Sequence, residues 1–333
     1  DSIMWADISL NTVADEASVD IDSIVVYEFV NLNDTEATHQ TDALVHSYTN
    51  DQEKYELAVQ LFEAEDYYNA YTLLSELDGE VSDDLLAECE RLLTTIEINN
   101  PRTAGKIRKA LKEHGMPVYE YLYVSQAEKL ASLDLSECLI DDVDFLRNFP
   151  NLKVLNLEKN AIADLTALKD MHALESLSLG KNHISDISPL SDLASLQYLD
   201  LNNNLLEDIS GLNNLPSLVE IDLSSNDLTT ITDLDNLKNL EALDLSYNLV
   251  SSLSAFENSP LKELNIMNTD ISDLQAAAGF TELESLYAGF PYVWKGNPLY
   301  LLTGKYELEH HFYEGLSGLE ALSGHQNLRK LYL

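Results

Sequence analysis

A hydrophobic pattern with a period of 22 residues runs from Leu130 to Leu333, and it constrains the fold of this chain more than any other feature. The pattern restarts at Leu152, Leu174, Leu196, Leu218 and Leu240, then after 21 residues at Leu261, and again at Leu283. Its consensus reads LxxLxLxxNxIxxI/LxxLxxL. A fixed period of this length predicts a solenoid, in which each repeat forms one coil that is stabilised by stacking on its neighbours.

The Leu-x-Leu segment of each repeat predicts a short strand. Side chains two residues apart on a strand share a face, so Leu199 and Leu201 are predicted to point inward and Asp200 outward. Stacked strands then form a parallel sheet on the concave side, while apolar residues at steps of three predict 3₁₀ turns on the convex side. The asparagine of each repeat is predicted to satisfy backbone groups at the turn after the strand. This asparagine ladder comprises Asn160, Asn182, Asn204, Asn226 and Asn248.

The stretch NLKVLNLEKNAIADLTALKDMHALESLSLGKNHISDISPLSDLASLQYLDLNNN resembles the internalin-type leucine-rich repeats of bacterial surface proteins. The resemblance spans roughly residues 102 to 333 and includes the entry, where Ile107–Leu111 and Lys129–Leu135 look like the helical cap that leads into the first repeat. It implies an α/β solenoid, a leucine-rich-repeat horseshoe or arc with a parallel concave sheet, an N-terminal helical cap and a small helical module upstream. A fold of this kind does not specify a function, because binding sites are grafted onto it.

Departures from the repeat concentrate near its ends. Cys138 takes the first ladder position, and Thr269 and Pro291 replace asparagine later. Counting back from Leu328 places Leu319 and Leu322 in the pattern. The segment KYELEHHFYEG is predicted to supply one further strand between the repeats that begin at Leu283 and Leu328. Burying its leucine and phenylalanine costs less than burying its glutamates, so Leu308 and Phe312 are predicted to face inward and Glu307, Glu309 and His311 outward.

The chain ends in LRKLYL, where another strand has begun, and it starts at Asp1 rather than at a methionine. We expect it to be a fragment of a longer protein, because no polar cap covers the apolar core at the end of the pattern. The uncovered edge of the last strand is expected to allow weak self-association.

Upstream of the repeats, the apolar spacing becomes helical. YELAVQLFEAEDYYNAYTLLSEL predicts two antiparallel helices, and it resembles a single tetratricopeptide unit with Ala58, Tyr67 and Ala70 at matching places. SDDLLAECERLL looks like the first helix of a second unit. Asn99–Pro101 predicts the joint between modules. The predicted segments are 1–50, partly extended with a short strand at Ile24–Val30; 51–98, the helical hairpin; 99–129, the cap; and 130–333, the repeats.

The net charge of −39 argues against nucleic acid or an anionic membrane as a partner. The sequence contains no run of about 18 apolar residues, so we do not expect direct insertion in a membrane. Cys89 and Cys138 lie in different modules, so no disulfide framework is expected, which fits either the cytoplasm or the exterior of a Gram-positive bacterium.

The sequence offers little sign of catalytic chemistry. It has no GxxxxGK[ST] phosphate loop, no HExxH helix, no CxxC pair and no GxSxG elbow. His310 and His311 are adjacent, but neighbours on a strand point to opposite faces and do not easily bind one ion. We predict no catalytic residue, no metal site and no cofactor.

Two features of the concave face are candidates for ligand binding. The predicted central column runs through Asp134, Asn156, Ser178, Asp200, Asp222, Asp244, Asn265 and Tyr287. Its three stacked carboxylates repel one another by roughly 1 kcal/mol per neighbour, which a basic ligand would relieve, although hydrated aspartates are also common on such sheets. Toward the C-terminus, aromatic residues crowd together, and they either bind a partner or fill gaps in the core. The candidate ligand-binding residues are Asp200, Asp222, Asp244, Glu220, Glu263, Tyr287, Phe290, His311, Tyr313 and Tyr332.

These features favour a non-enzymatic recognition module that binds a protein or peptide, or alternatively a glycan, through its concave face. The resemblance implies a bacterial protein that is extracellular or on the cell surface, most simply of a Gram-positive organism. The alternative is an intracellular, cytoplasmic scaffold or regulator that uses the helical hairpin and the repeats as docking surfaces.

Overall fold

The computed structural model describes residues 51–77, 80–119, 121–231, 234, 236–256, 259–289 and 317–333. By its internal contacts the chain divides into two compact units, residues 1–93 and 94–333. The strand predicted at Ile24–Val30 lies outside the described residues. Among the helices of the described ranges, none is long and apolar enough to cross a bilayer.

The first unit contains the two predicted helices and a third. α1 (Asp51–Glu63) and α2 (Tyr67–Leu74) form the hairpin, and α3 (Glu80–Leu92) follows. Ala58 and Ala70 are fully buried between the helices, where their small side chains allow close approach. Asp66 ends the connecting turn as the N-cap of α2, since its carboxylate accepts a hydrogen bond from the backbone N–H of Asn69 at 3.3 Å.

The second unit begins with the cap of the solenoid. β1 (Thr95–Ile96) pairs antiparallel with β2 (Leu122–Tyr123), and α4 (Pro101–Glu113) lies between them in the chain, with α5 (Val124–Ala127) after them. Asn100 is the N-cap of α4: its side chain accepts from the N–H of Arg102 at 2.9 Å and donates to the carbonyl of Cys138 at 2.8 Å. The predicted joint at Asn99–Pro101 therefore lies inside this unit, and the division falls at Leu93 and Thr94 because β1 pairs with β2.

Within the described residues the repeats form one parallel sheet of nine strands in chain order, which confirms the predicted parallel stacking of one strand per coil. Inward residues stack in register from Leu133 through Leu243 to Leu264, Leu286 and Leu331. The strands are β3 (Ser132–Asp134), β4 (Val154–Asn156), β5 (Ser176–Ser178), β6 (Tyr198–Asp200), β7 (Glu220–Asp222), β8 (Ala242–Asp244), β9 (Glu263–Met267), β10 (Ser285–Gly289) and β11 (Lys330–Tyr332).

The convex side consists of short 3₁₀ turns rather than full helices, as the repeat length requires. Each described turn from Asp144 to Gly279 begins two residues after a side chain that caps it: the oxygen of Asp142, Asp164, Asp186, Asp208, Ser252 or Asp273 accepts the first free backbone N–H at 2.8–3.2 Å. The turns are Asp144–Asn148, Thr166–Leu168, Ser188–Leu190, Ser210–Asn214, Ser254–Phe256, Gln275–Gly279 and Leu319–Gly324.

The asparagine ladder is confirmed. Asn204 is fully buried; its Oδ1 accepts from the N–H of Ile184 at 3.0 Å, and its Nδ2 donates to the carbonyls of Leu179 and Leu201, each at 3.0 Å. One amide therefore joins its own coil to the preceding one. Thr269 makes only local bonds at its ladder position, to Ile266 and Ile271.

The prediction for the segment KYELEHHFYEG is wrong in one respect. β10 pairs directly with β11, with Leu286 opposite Leu331, so no strand lies between them in the sheet. The inward and outward residues predicted there, from Glu307 to Phe312, lie outside the described residues. Of the two leucines counted back from Leu328, Leu322 is buried and Leu319 is 42% exposed.

Candidate functional site

The central column of the concave face has the predicted members in the predicted order. Residues Asp134 to Tyr287 lie opposite one another from strand to strand, and Tyr332 extends the column on β11. The sheet register therefore brings Asp200, Asp222 and Asp244 together, and it places Tyr287 and Tyr332 at the C-terminal end. Glu220 and Glu263 lie on the adjacent column, two residues before Asp222 and Asn265, and both are exposed.

Every aspartate and asparagine of this column also has a structural role. Its Oδ1 accepts the backbone N–H two residues later at 2.8–3.2 Å, where the chain leaves the strand. The residue after that N–H has a left-handed backbone, with φ between 53° and 58°, and it donates its own N–H to the next coil. These left-handed residues are Glu137, Lys159, Asn203, Ser225, Tyr247 and Asn268; Lys181, after Ser178 of the column, has the same backbone geometry. Asp or Asn in the column is thus a turn-forming residue, a role that sequence reasoning missed.

Asp200 is more enclosed than a hydrated surface carboxylate. It is 8% exposed and accepts hydrogen bonds from the backbone and side-chain nitrogens of Asn202 at 2.9 and 2.6 Å. Gly180 makes room for this pair, since a Cβ there would lie 2.5 Å from Asn202 Nδ2 and 3.1 Å from Asp200 Oδ1. Burial, reinforced by the charges of Asp222 and Glu158, raises the pKa of Asp200.

Asp244 has a similar environment three strands from the aromatic end. Burial raises its pKa in spite of hydrogen bonds from Ser246, and the charge of Asp222 acts in the same direction. The amide of Asn265 donates to its second oxygen at 2.7 Å. Two of the three stacked carboxylates therefore carry a negative charge that the folded structure disfavours.

Tyr198 was not among the predicted site residues, although its position beside Asp200 follows from strand alternation. Its ring is half-buried, and burial together with the charges of Asp200, Glu220, Asp222 and Glu158 raises the pKa of Tyr198 to about 12. The phenol stays protonated and remains a hydrogen-bond donor in this negative environment.

The negative charge is unevenly neutralised along the face. Near the cap, Lys159 pairs with Glu137 at 2.8 Å and Lys181 pairs with Glu158 at 2.7 Å. Within the described ranges, no lysine or arginine forms an ion pair with Asp200, Asp222, Asp244, Glu220 or Glu263. The middle of the sheet is therefore a strip of unneutralised carboxylates.

The aromatic end of the column begins with two tyrosines. The rings of Tyr287 and Tyr332 stack with centroids 4.9 Å apart and planes 5° from parallel, and Tyr332 is 54% exposed. The other predicted aromatic and histidine candidates, Phe290, His311 and Tyr313, lie outside the described residues. In the part of the chain that the structure describes, no group of three or more His, Cys, Asp or Glu is placed to hold a metal ion.

Comparison with known proteins identifies the repeats and the fold. A model of leucine-rich repeats matches residues 128–170, 172–214 and 216–258. The structure is similar to that of internalin C2 from Listeria monocytogenes, with a TM-score of 0.57 and 23% identity over 70% of this chain and 93% of that one. No curated protein sequence matches the chain significantly.

Two further solved structures match less well. An internalin, InlF, of L. monocytogenes has a TM-score of 0.29 and 21% identity over 70% of this chain and 88% of that one. A leucine-rich-repeat protein of Leptospira interrogans has a TM-score of 0.49 and 21% identity, over 63% of this chain and 50% of that one. The matching repeat model and the likeness to internalin C2 identify the fold as a leucine-rich-repeat solenoid, and at this identity the likeness is one of fold alone.

Proposed function

We propose that this leucine-rich-repeat chain is a recognition module that binds a protein partner through the concave face of its solenoid. Leucine-rich-repeat proteins of the internalin type generally mediate protein–protein interaction. The observation that carries the proposal is the composition of one strand column, in which Asp200, Asp222 and Asp244 lack cationic partners and lead toward the stacked Tyr287 and Tyr332.

Rigid presentation is the proposed mechanism. The face is held by the sheet, by the asparagine ladder and by the turn-forming aspartates, so little conformational entropy is lost when a partner binds. Binding energy then comes from contacts alone. Catalysis has no place in this proposal.

The carboxylates in the middle of the column and the tyrosines at its C-terminal end have different roles in the proposal. A basic segment of the partner relieves the repulsion among the carboxylates and is steered toward them, which raises the association rate. The exposed ring of Tyr332 supplies apolar area that slows dissociation. We favour the aromatic end as the larger contributor to affinity, because solvent-facing charges act over only about 8–10 Å in physiological salt.

The proposed location is the surface or exterior of a bacterium, on the strength of the resemblance to internalin-type repeats; an intracellular scaffold remains the alternative. Reading the gene on both sides of this sequence separates the two. An upstream signal segment or a downstream wall anchor supports display outside the cell. A full-length gene that encodes neither of them contradicts it.

Photo-crosslinking tests the concave-face proposal. A benzophenone amino acid replaces Glu263 on the concave face in one variant and Lys169 on the convex side in another, and both variants are exposed to the same mixture of candidate partner proteins. A partner that crosslinks from position 263 and not from position 169 supports the proposal. Equal crosslinking from both positions contradicts it.

Affinity measurements on the crosslinked partner then separate the two ends of the column. Replacing Asp200, Asp222 and Asp244 by Asn keeps the turn hydrogen bonds, because Asn156 and Asn265 make the same bonds, and should lower the association rate and its salt dependence. Tyr287→Ala with Tyr332→Ala should weaken binding by more than about 1 kcal/mol. If neither set changes the affinity, the concave-face proposal is wrong.

A further inference from the structure

The cap helix is the most basic element of a strongly acidic chain. Arg102, Lys106, Arg108, Lys109 and Lys112 lie on α4, so this helix holds five of the chain's 19 lysines and arginines and only one acidic residue, Glu113. Each of the other helices in the described ranges carries at most one lysine or arginine. Lys106 already pairs with Asp134 at 3.3 Å and Lys109 with Glu113 at 3.6 Å, so the exposed Lys112 is the cation of this helix that best attracts an anionic group from solution.

A cleft of about 300 Å³ with a mixed polar and apolar lining opens beside this helix. Its floor is formed by Ile96 of β1 and by Ile107 and Leu111 on one face of α4, and all three are buried in the cap. The floor belongs to the same core as the first repeat, so the cleft has a fixed shape.

The rim of the cleft combines aromatic and charged groups. Tyr119 and Tyr121 are 44% and 58% exposed, and Tyr119 is held edge-to-face against Tyr123 with centroids 5.8 Å apart. Arg108 of α4 and Glu97, which follows β1, also line the cleft, and the exposed Lys112 follows Arg108 one helical turn later on the same face of α4. Large aromatic groups around an apolar pocket are typical of sites that take a partner's side chain.

We propose that this cleft is a second docking site, separate from the concave face, for an acidic peptide segment of a partner protein. A large apolar side chain of the segment fills the cleft, and an acidic residue beside it lies against Lys112 of α4. The apolar floor selects a peptide rather than a nucleic acid or a lipid surface, because neither of these inserts an apolar side chain. The charge of α4 selects acidic flanks, because basic flanks are repelled.

Fluorescence anisotropy with synthetic peptides on the full chain tests the proposal. The probe is a labelled dodecapeptide with Leu-Phe at its centre and glutamates on both sides; one control peptide has lysines in place of the glutamates, and another has Ala-Ala in place of Leu-Phe. We expect saturable binding of the first peptide only. No saturation by about 1 mM overturns the proposal, and so does equal binding of the three peptides.

Variants then locate the binding. Tyr121→Ala should weaken it at least about fivefold, and Lys112→Glu at least about threefold, with the latter effect shrinking in high salt. Tyr68→Ala on α2 and Lys169→Glu on the solenoid are matched controls that should leave binding unchanged. Thermal unfolding of each variant shows whether the cap remains folded.

Binding of other anionic ligands to the same helix would contradict the proposal of a peptide site. Vesicles of phosphatidylcholine and phosphatidylserine in equal parts, and single-stranded oligothymidylate, are tested with the same variants. If either binds wild type more tightly than the Glu-flanked peptide does, with sensitivity to Lys112→Glu and none to Tyr121→Ala, the peptide site is overturned. These assays alter no residue of the concave face. A negative result in them therefore does not contradict the proposed function, which the crosslinking and affinity measurements test separately.

Discussion

In four repeats, one buried asparagine amide bonds to carbonyls of two coils and to an N–H of the preceding coil: Asn182, Asn204, Asn226 and Asn248. At Asn204 this amide is fully buried and makes three bonds of 3.0 Å. No water can replace it at this depth, so the cost of removing it is the desolvation of three backbone groups.

Asn204→Leu should therefore lower the free energy of unfolding by about 3 kcal/mol or more, measured by urea denaturation. Asn236→Leu is the control, because Asn236 is exposed on the surface and its substitution should change stability by less than about 0.5 kcal/mol. Equal effects of the two changes would show that the ladder does not stabilise the solenoid.

The left-handed turn residues give a second prediction at the residue scale. Ser225 has φ of 58°, a conformation that costs a residue with a Cβ roughly 1 kcal/mol, whereas its neighbour Ser224 has ordinary backbone geometry. Ser225→Gly should raise the free energy of unfolding by about 0.5 kcal/mol, and Ser224→Gly should lower it by a similar amount through the entropy of the unfolded chain. Opposite signs in chemical denaturation support the turn geometry; a loss of stability in both variants contradicts it.

The column aspartates give a third prediction, which depends on pH. The pKa of Asp200 is raised by burial, so its charged form lowers stability above the folded pKa, and this effect disappears as the pH falls below the ordinary Asp value of about 4. Asp200→Asn should therefore stabilise the protein at pH 7 and lose this advantage in acid. Thermal unfolding across that pH range measures it.

Asp134 is the matched control with the opposite sign. Partial burial opposes ionisation there, but hydrogen bonds from Ser136 and the charge of Lys106, 3.3 Å away, lower the pKa of Asp134 below its ordinary value. Its ionised form stabilises the fold above the unfolded pKa, so Asp134→Asn should reduce stability at pH 7. Identical responses of the two variants would contradict the assigned environments.

At the scale of elements, the cap helix is anchored to the first repeat by its N-cap. Asn100 satisfies the N–H groups of Arg102 and Thr103 and also donates to the carbonyl of Cys138 at 2.8 Å. One side chain thus begins α4 and ties the helix to the first repeat.

Asn100→Ala should cost about 1–2 kcal/mol, since it removes a helix cap and leaves a carbonyl of the first repeat without that donor. Asn99→Ala, at the exposed neighbouring position, should have little effect on the same denaturation curve. A silent Asn100→Ala would mean that the helix begins without the cap.

At the scale of the whole molecule, the net charge of −39 opposes the compact state through self-repulsion. The surface ion pairs of the described residues contribute little, because exposed pairs are worth about 0–1 kcal/mol each. Raising NaCl should therefore increase the melting temperature at pH 7 by a few degrees. Near pH 4.2, where the net charge is close to zero, the same salt should have no such effect. A fall in melting temperature at pH 7 would show that the ion pairs dominate.

The repeat period alone predicted the sheet, its register and the concave column. Side chains alternate faces along each strand, and successive coils are 22 or 21 residues apart. Only one register of the strands then turns the leucines of the pattern toward the interior of the stack. The column from Asp134 to Tyr287 follows from that register without knowledge of any contact, and so does the inward asparagine at each turn.

Contacts between coils decided the rest. The enclosure of Asp200 depends on Asn202 and on the space left by Gly180 in the neighbouring coil, and the left-handed turns depend on N–H groups that bond to the next coil. The direct pairing of β10 with β11 was also unpredictable, because the leucine pattern is lost between them and the period no longer counts coils. A one-dimensional pattern specifies which face a residue takes, whereas its burial and charge state depend on neighbours that only the stacked structure brings within a few ångströms.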